Sequence, residues 1–230
     1  MSWRLHDRRE AGAVLAARLA GYAGRPDGIV LALPRGGVPV AEVIAEQLKL
    51  PLDVFLVRKL GVPHQPEYAF GAIAEGGIRV LNRDVIAAVG LTQEQVERIS
   101  AEEQQELDRR ADAYRGGAPK SDLRGRTVIL VDDGVATGST MYAAVMAIRQ
   151  QEPRRIVVAV PVGAPDALAL LQQVADEVIC PLAADPFDAV GSWYEEFPQV
   201  SDEEVRASLA RGEARALSNR QGSTPASNAG

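Results

Sequence analysis

The chain has 230 residues, and 47% of them are hydrophobic. This length is sufficient for one α/β domain with a substantial core. The formal net charge is −6 and no long run of lysine and arginine occurs. The composition therefore argues against general binding of nucleic acid or of a membrane surface.

Cysteine and histidine are scarce. Cys180 is the only cysteine, so no disulfide can form within the chain, which fits a reducing cytosol. Its apolar neighbours predict a buried structural thiol. His6 and His64 are far apart in the sequence, which argues against a zinc site. No apolar run reaches the roughly 18 residues of a membrane helix and no signal peptide is evident, so we expect a cytoplasmic protein.

The first part of the chain alternates helices and strands. Asp7 can cap a first helix. The apolar run at residues 29–33 predicts a strand, a helix with apolar residues at helical spacing follows, and residues 52–57 predict a second strand. Two strands joined by a helix form a βαβ unit, which is right-handed by default.

Residues 61–117 form a predicted insertion. Residues 61–77 are rich in glycine and proline and predict mainly loop, while residues 78–81 can pair with residues 70–74 in a small antiparallel ribbon. Residues 92–114 predict a long helix that begins with a capping box of Thr92 and Gln95. Because this helix has few apolar positions, it is either a lid element or a dimer contact.

The second part of the chain predicts strands at residues 128–131, 156–162 and 177–182, with helices between them. This alternation predicts an α/β fold with a doubly wound, mainly parallel sheet. We place its core at about residues 29–182. Ser201 and Glu204 can form a capping box for a final helix. We expect a single domain over residues 1–217 and a disordered tail over residues 218–230, which are small and polar.

The most informative segment, residues 127–141, reads TVILVDDGVATGSTM. It predicts a buried strand, then Asp132 and Asp133, then a hydroxyl-rich loop that leads into a helix starting near Ser139. Backbone N–H groups of such a loop and the positive end of a helix dipole favour a phosphate. The loop lacks the lysine of a Walker A motif and the glycine spacing of a dinucleotide fingerprint, which argues against a nucleotide hydrolase of that kind. The alternative is a plain strand–turn–helix with capping acids.

This segment resembles the phosphoribosyl pyrophosphate (PRPP) signature of type I phosphoribosyltransferases, with four apolar residues, two acidic ones and a loop ending in Thr-Gly-x-Thr. The resemblance implies that Asp132 and Asp133 bind the ribose hydroxyls. It implies that the 5′-phosphate binds at Val135, Ala136, Thr137, Gly138, Ser139 and Thr140. Some purine-specific members have Asp where Ala136 stands, and the adenine-type loop lacks it too. No general base is then evident beside the ribose, unless Asp132 or Asp133 serves as one.

Two further loops resemble parts of the same family. Arg35, Gly36 and Gly37 resemble its pyrophosphate loop, in which the peptide before the residue matching Arg35 is commonly cis. Arg58 and Lys59 resemble the adenine-type branch, and Lys59 is a second candidate for binding pyrophosphate. The alternatives are an ordinary turn at Arg35 and a solvated charged pair at Arg58 and Lys59.

Residues 183–200 fall where the family has its hood, the variable part that grips the base. Phe187 and Trp193 are candidates for stacking on that base, and Glu195 is a candidate magnesium ligand. An aromatic side chain stacked on a base contributes about 1–3 kcal/mol. Alternatively, the aromatic residues pin the C-terminal segment to the core.

The resemblance implies a reaction in which a nitrogen base displaces pyrophosphate from PRPP. It implies that Asp132, Asp133, Arg58 and Lys59 carry catalysis. It implies a Mg²⁺ cofactor held by Asp132, Asp133 and Glu195. We expect PRPP and a small nitrogen base as ligands, a homodimer, and no nucleic acid or membrane partner. The alternative is a regulatory protein of the same fold that binds PRPP or a nucleotide without catalysis.

Overall fold

The computed structural model describes residues 4–221, apart from the side chains of residues 66, 67 and 219–221. Its centre is a five-stranded sheet in the order β2-β1-β6-β7-β9. The strands are β1 (Gly28–Ala32), β2 (Leu52–Val54), β6 (Thr127–Val131), β7 (Arg155–Ala159) and β9 (Glu177–Ile179). Every neighbouring pair in this sheet is parallel, as the alternation of strands and helices predicts.

Helices cover both faces of this sheet. They are α1 (Arg8–Arg18), α2 (Gly37–Leu48), α5 (Ser139–Arg149) and α6 (Pro165–Gln172). Successive residues of β6 point to opposite faces, so Ile129 lies in the hydrophobic cluster with α1 and α2 and Leu130 in the cluster with α5 and α6. The predicted doubly wound architecture is therefore confirmed.

The insertion contains more strand than the sequence predicts. A second sheet has the order β3-β4-β5 and comprises β3 (Val57–Val62), β4 (Gln65–Ala74) and β5 (Ile78–Leu81). Residues 52–57 are thus parts of two strands, and the prediction of loop is wrong for most of residues 61–69, which lie in β3 and β4. Burial of Phe70 and Ile73 in the core outweighs the loop preference of the nearby glycines and prolines. The predicted pairing of residues 70–74 with 78–81 is confirmed.

Two helices follow this second sheet. α3 (Arg83–Val89) was not predicted, and α4 (Gln93–Arg115) has the predicted capping box of Thr92 and Gln95. At the end of α4, the buried Arg115 guanidinium donates to Asp53 at 2.9 Å and to Glu75 at 2.7 Å. This ion-pair network fixes the end of the insertion against the central sheet.

The C-terminal part closes the domain. The predicted strands at 156–162 and 177–182 are each divided, because β8 (Val162–Gly163) and β10 (Leu182–Ala183) pair separately. Cys180 is only half-buried, and burial raises the pKa of its thiol to about 11.

The final helix, α7 (Asp202–Gln221), has the predicted capping box of Ser201 and Glu204. Residues 218–221 are helical, so the predicted boundary at residue 217 is too early; the rest of the predicted tail lies outside the described residues. In residues 4–221, no helix is long and apolar enough to cross a membrane.

Candidate functional site

Two loops meet at the carboxyl edge of the central sheet, because β1 and β6 are neighbours. The Leu33 amide donates to the carbonyl of Val131 at 2.9 Å. A Cβ on Gly37 would lie 2.7 Å from that carbonyl oxygen, and one on Gly36 would lie 2.6 Å from Cγ of Asp133. Both glycines are therefore required by close approach. The peptide between Pro34 and Arg35 is cis, as the resemblance to the pyrophosphate loop implies.

Asp132 and Asp133 form one side of this contact between the two loops. The Asp133 amide donates to Asp132 Oδ1 at 2.8 Å, and Asp133 Oδ2 accepts from Arg8 Nε at 2.9 Å. Burial, followed by the charge of Asp133, raises the pKa of Asp132 well above its usual range. Burial also raises the pKa of Asp133, and the Arg8 guanidinium opposes that rise. Arg8 therefore favours the ionised form of Asp133.

Arg8 was not among the residues predicted to form the site. Its side chain is 9% exposed, and it also donates to the carbonyl of Pro198 at 2.7 Å and lies 3.7 Å from the centre of the Phe197 ring. The Tyr194 hydroxyl donates to the carbonyl of Asp133 at 2.6 Å. Helix α1, the acidic pair and residues 194–198 thus form one connected unit. No local sequence pattern marks Arg8, since its partners are more than a hundred residues away.

The hydroxyl-rich loop after the acidic pair is open to solvent at Ala136, Thr137, Ser139 and Thr140. Gly138, with φ of 73°, ends the loop in the left-handed region and precedes the first turn of α5. Val135 is buried, and both of its backbone polar groups are hydrogen-bonded. Its amide donates to the carbonyl of Val162, and its carbonyl accepts from the amide of Ala164. The loop is therefore anchored at Val135 and presents its hydroxyl groups at a helix N-terminus, an arrangement that suits a phosphate.

Arg58 and Lys59 are not brought together. Because they are successive residues of strand β3, their side chains point to opposite faces of the second sheet. Arg58 lines a cavity of about 100 Å³ together with Arg35 and Thr140, and its guanidinium pairs with Glu103. Lys59 is exposed and lines a different cavity, of about 730 Å³, next to Ser139. Arg58 and Lys59 therefore line different cavities, and the prediction that both bind pyrophosphate stays a prediction.

The predicted base and metal residues make contacts with each other and with the N-terminal segment. Phe187 and Trp193 stack on each other with ring centres 6.2 Å apart. A cavity of about 430 Å³ beside Asp133 is lined by Phe197 instead. Glu195 pairs with His6 at 3.0 Å.

Among the residues that the structure describes, no group of three acidic, histidine or cysteine side chains is placed to hold a metal ion. Glu195 instead pairs with His6, just before α1, and the prediction that Asp132, Asp133 and Glu195 hold Mg²⁺ stays a prediction. The prediction that Phe187 and Trp193 bind a base stays a prediction.

The chain belongs to the phosphoribosyl transferase domain family, whose model matches residues 4–192. Together with the parallel sheet and the signature segment, this confirms the resemblance to type I phosphoribosyltransferases. The protein TT1426 from Thermus thermophilus is 47% identical in sequence to this chain. Its crystal structure matches the structure described here with a TM-score of 0.81, over 90% of this chain and 98% of that one.

A Mycobacterium tuberculosis protein, named provisionally as a phosphoribosyl transferase, is 48% identical over 205 residues, which are 89% of this chain and 46% of that protein. This chain thus spans about half the length of the curated relatives it matches. The protein AQ2163 of Aquifex aeolicus is 12% identical with a TM-score of 0.50, over 88% of this chain and 85% of that one. This last similarity shows a shared fold alone.

Proposed function

We propose that this protein transfers the 5-phosphoribosyl group of PRPP to a nitrogen base and releases pyrophosphate. The observation that carries the proposal is the direct contact of Gly36 and Gly37 with Asp132 and Asp133 at one sheet edge. The hydroxyl-rich loop continues from the same two acids. A ribosyl group flanked by a phosphate and a pyrophosphate is the ligand that uses all three features.

Each feature takes one part of PRPP in this proposal. Asp132 and Asp133 accept hydrogen bonds from ribose hydroxyls, and the amides of residues 135–140 bind the 5′-phosphate. Arg35 and Arg58 line one small cavity and bind the pyrophosphate. The bond to the leaving group breaks with oxocarbenium character, so catalysis rests on positioning and on neutralising the charge that develops.

The acceptor base occupies the cavity beside Asp133. Its volume of about 430 Å³ lies within the range of roughly 300–1,000 Å³ that is usual for small-molecule sites. Phe197, a residue that is 36% exposed, forms one wall and offers its ring for stacking. Phe187 and Trp193 are the alternative base contacts.

Magnesium fits this site only together with its substrate. Mg²⁺ is commonly held by one or two carboxylates plus substrate phosphates, and Asp132 and Asp133 are the two carboxylates present. When bound, Mg²⁺ would neutralise charge on the pyrophosphate leaving group. We further propose that the protein acts as a homodimer in the cytoplasm.

A non-catalytic PRPP-binding regulator is the second candidate function. The separation of Arg58 from Lys59 favours it, because only one of the two cations reaches the small cavity that also holds Arg35. Such a protein keeps the phosphate loop and the acidic pair. It binds PRPP without releasing pyrophosphate when a base is added.

Pyrophosphate release from PRPP and Mg²⁺ in the presence of a panel of nitrogen bases tests the proposal. We expect release that depends on one class of base and is lost when Asp132→Asn and Asp133→Asn are combined. PRPP binding without release for any base would favour the regulator. Failure of the wild-type protein to bind PRPP with Mg²⁺ would overturn both functions.

The same double variant separates a ribosyl site from a plain phosphate site. Charged hydrogen bonds contribute about 1.5–3 kcal/mol each, so PRPP affinity should fall by about one to several orders of magnitude. Inorganic phosphate affinity should hold or improve, since two negative charges near the anion are removed. Paired calorimetric titrations measure both, and a parallel change in the two affinities contradicts ribose binding by the pair.

A further inference from the structure

Three arginines from separate parts of the chain line one small cavity. Arg35 comes from the loop after β1, Arg58 from β3, and Arg110 from helix α4 in the insertion. Thr140 of the hydroxyl-rich loop lines the same cavity. Three arginines and a threonine around one cavity suit an anion with several oxygen atoms, although the Arg58 guanidinium also pairs with Glu103.

The volume of this cavity restricts its ligand. At about 100 Å³, it is much smaller than the cavity of about 430 Å³ beside Asp133. A nucleobase needs the larger cavity beside Asp133. A compact anionic group, such as one phosphate unit of a pyrophosphate, fits both the size and the charge.

Helix α4 is fixed at this cavity by a contact that does not involve Arg110. Tyr114 lies four residues further along, on the same face of the helix, and also lines the cavity. Its buried hydroxyl donates to Asp202 at 2.8 Å, and the same Asp202 oxygen lies 3.9 Å from the Arg35 guanidinium. The position of α4 over the loop of Arg35 is therefore independent of the ion pair that Arg110 makes.

The charge of Arg110 is only partly balanced. Arg109 and Arg110 both donate to one carboxylate, Glu106, each through Nε at 2.7 Å. Two guanidinium groups that share one carboxylate leave one positive charge in excess. These two hydrogen bonds lower the pKa of Glu106 to about 2, so its charge persists at neutral pH. Arg109 is more exposed than Arg110 and does not line the cavity, so Arg110 is the one of the two arginines that lies at the cavity.

We propose that Arg110 is a third pyrophosphate-binding residue, and that the insertion helix α4 is thereby part of the active site. This inference rests on the proposed phosphoribosyl transfer, since it assigns Arg110 to the leaving group of that reaction. The alternative role of Arg110 is a solvent-exposed ion pair with Glu106. Such a pair contributes little to stability, and its removal would leave ligand binding unchanged.

The test compares Arg110→Gln with Arg109→Gln, which removes the neighbouring arginine from the same carboxylate. Both variants and the wild-type protein are titrated with PRPP, pyrophosphate and ribose 5-phosphate, each with Mg²⁺. We expect Arg110→Gln to weaken PRPP and pyrophosphate binding at least about tenfold, because it removes a charged donor. Ribose 5-phosphate affinity should stay within about twofold in both variants, since that ligand lacks the pyrophosphate group.

The outcomes separate this inference from the function on which it rests. If the wild-type protein binds PRPP and the two variants behave alike, Arg110 does not bind pyrophosphate and the proposed function stands. If Arg110→Gln weakens all three ligands equally, its effect is structural and the inference is overturned. Wild-type protein that binds neither PRPP nor pyrophosphate overturns the function and the inference together. Arg110→Lys, which keeps the charge, should recover part of the lost affinity.

Discussion

At the residue scale, Gly36 shows how closely the two loops of the site approach each other. A side chain of even one carbon at this position would overlap the Asp133 carboxylate. Because the backbone of Gly36 has φ of −61°, an ordinary conformation for any residue, the requirement for glycine comes from the contact rather than from the backbone.

Gly36→Ala should therefore displace the loop of Arg35 from the acidic pair. We expect PRPP affinity to fall at least about tenfold, which corresponds to about 1.4 kcal/mol, in a variant that remains folded. Gly21→Ala is the matched control, since no atom lies within 4 Å of the added Cβ at that position. Calorimetric titration with PRPP and Mg²⁺ measures the effect. Equal affinity in the two variants would show that the contact of Gly36 with Asp133 does not shape the site.

Arg8 provides a second prediction at this scale. Its side chain and that of Asp133 are 9% and 13% exposed, so removing the guanidinium leaves a carboxylate buried without its partner. Breaking a buried pair in this way costs about 3–5 kcal/mol. We therefore expect the free energy of unfolding of Arg8→Met, measured by urea denaturation, to be lower than that of the wild type by about 3–5 kcal/mol.

Arg9→Met is the matched control, because Arg9 is exposed on the same helix. Adding Asp133→Asn to Arg8→Met should recover part of the stability, since the uncompensated charge is then removed. If Arg8→Met and Arg9→Met unfold at the same urea concentration, the ion pair does not stabilise the fold.

At the element scale, the network around Arg115 holds the insertion on the central sheet. Arg115 donates to Asp53 within β2, to Glu75 directly after β4, and to the carbonyl of Val54. Burial raises the pKa of Glu75, and the Arg115 guanidinium opposes that rise. The end of helix α4 is therefore attached to both sheets through one side chain.

Arg115→Met should cost about 3–5 kcal/mol of unfolding free energy, because it leaves the buried Asp53 and Glu75 carboxylates without a cation. Arg98→Met on the same helix is the control: Arg98 and its partner Glu102 are 58% and 60% exposed, and such a pair contributes about 0–1 kcal/mol. Chemical denaturation of both variants measures the difference. Similar losses for Arg98 and Arg115 would contradict a special role for the buried network.

At the scale of the whole molecule, the last helix, α7, packs against α2 in the first part of the chain. Glu42 of α2 is buried and accepts hydrogen bonds from Ser208 and Arg211 of α7. Burial raises the pKa of Glu42, but the bonds from Arg211 and Ser208 outweigh burial, so the pKa lies below its usual value of 4.5. The charged form of Glu42 therefore stabilises the attachment of α7.

This lowered pKa sets the direction of a pH effect. The contribution of Glu42 is complete above its unfolded pKa of 4.5 and is lost as the pH falls through its lower folded value. We expect the stability difference between wild type and Glu42→Gln to be largest near neutral pH and to shrink below about pH 4.5. Urea denaturation across the acid range measures it, and a difference that does not vary with pH would contradict the assignment.

Local patterns determined much of this molecule. The spacing of apolar residues predicts β6 and α5. The helix caps at Thr92 and Ser201 are also predictable, because their hydrogen-bond partners are only three residues away in the sequence. The order of strands, acids and hydroxyl groups in residues 127–141 identifies the phosphoribosyltransferase family before any contact is known. Neighbouring parallel strands also end at one edge of a sheet, which makes the meeting of Gly36 with Asp133 predictable.

Tertiary packing decided the rest. It separates Arg58 from Lys59, because a ten-residue strand β4 pairs with β3 and fixes the faces on which the two side chains lie. It brings Arg8 to Asp133 across 125 residues and Arg110 to the cavity of Arg35. Such meetings depend on how α1, α4 and the C-terminal segment pack on the sheet, and that packing follows from buried contacts over the whole chain rather than from any short pattern.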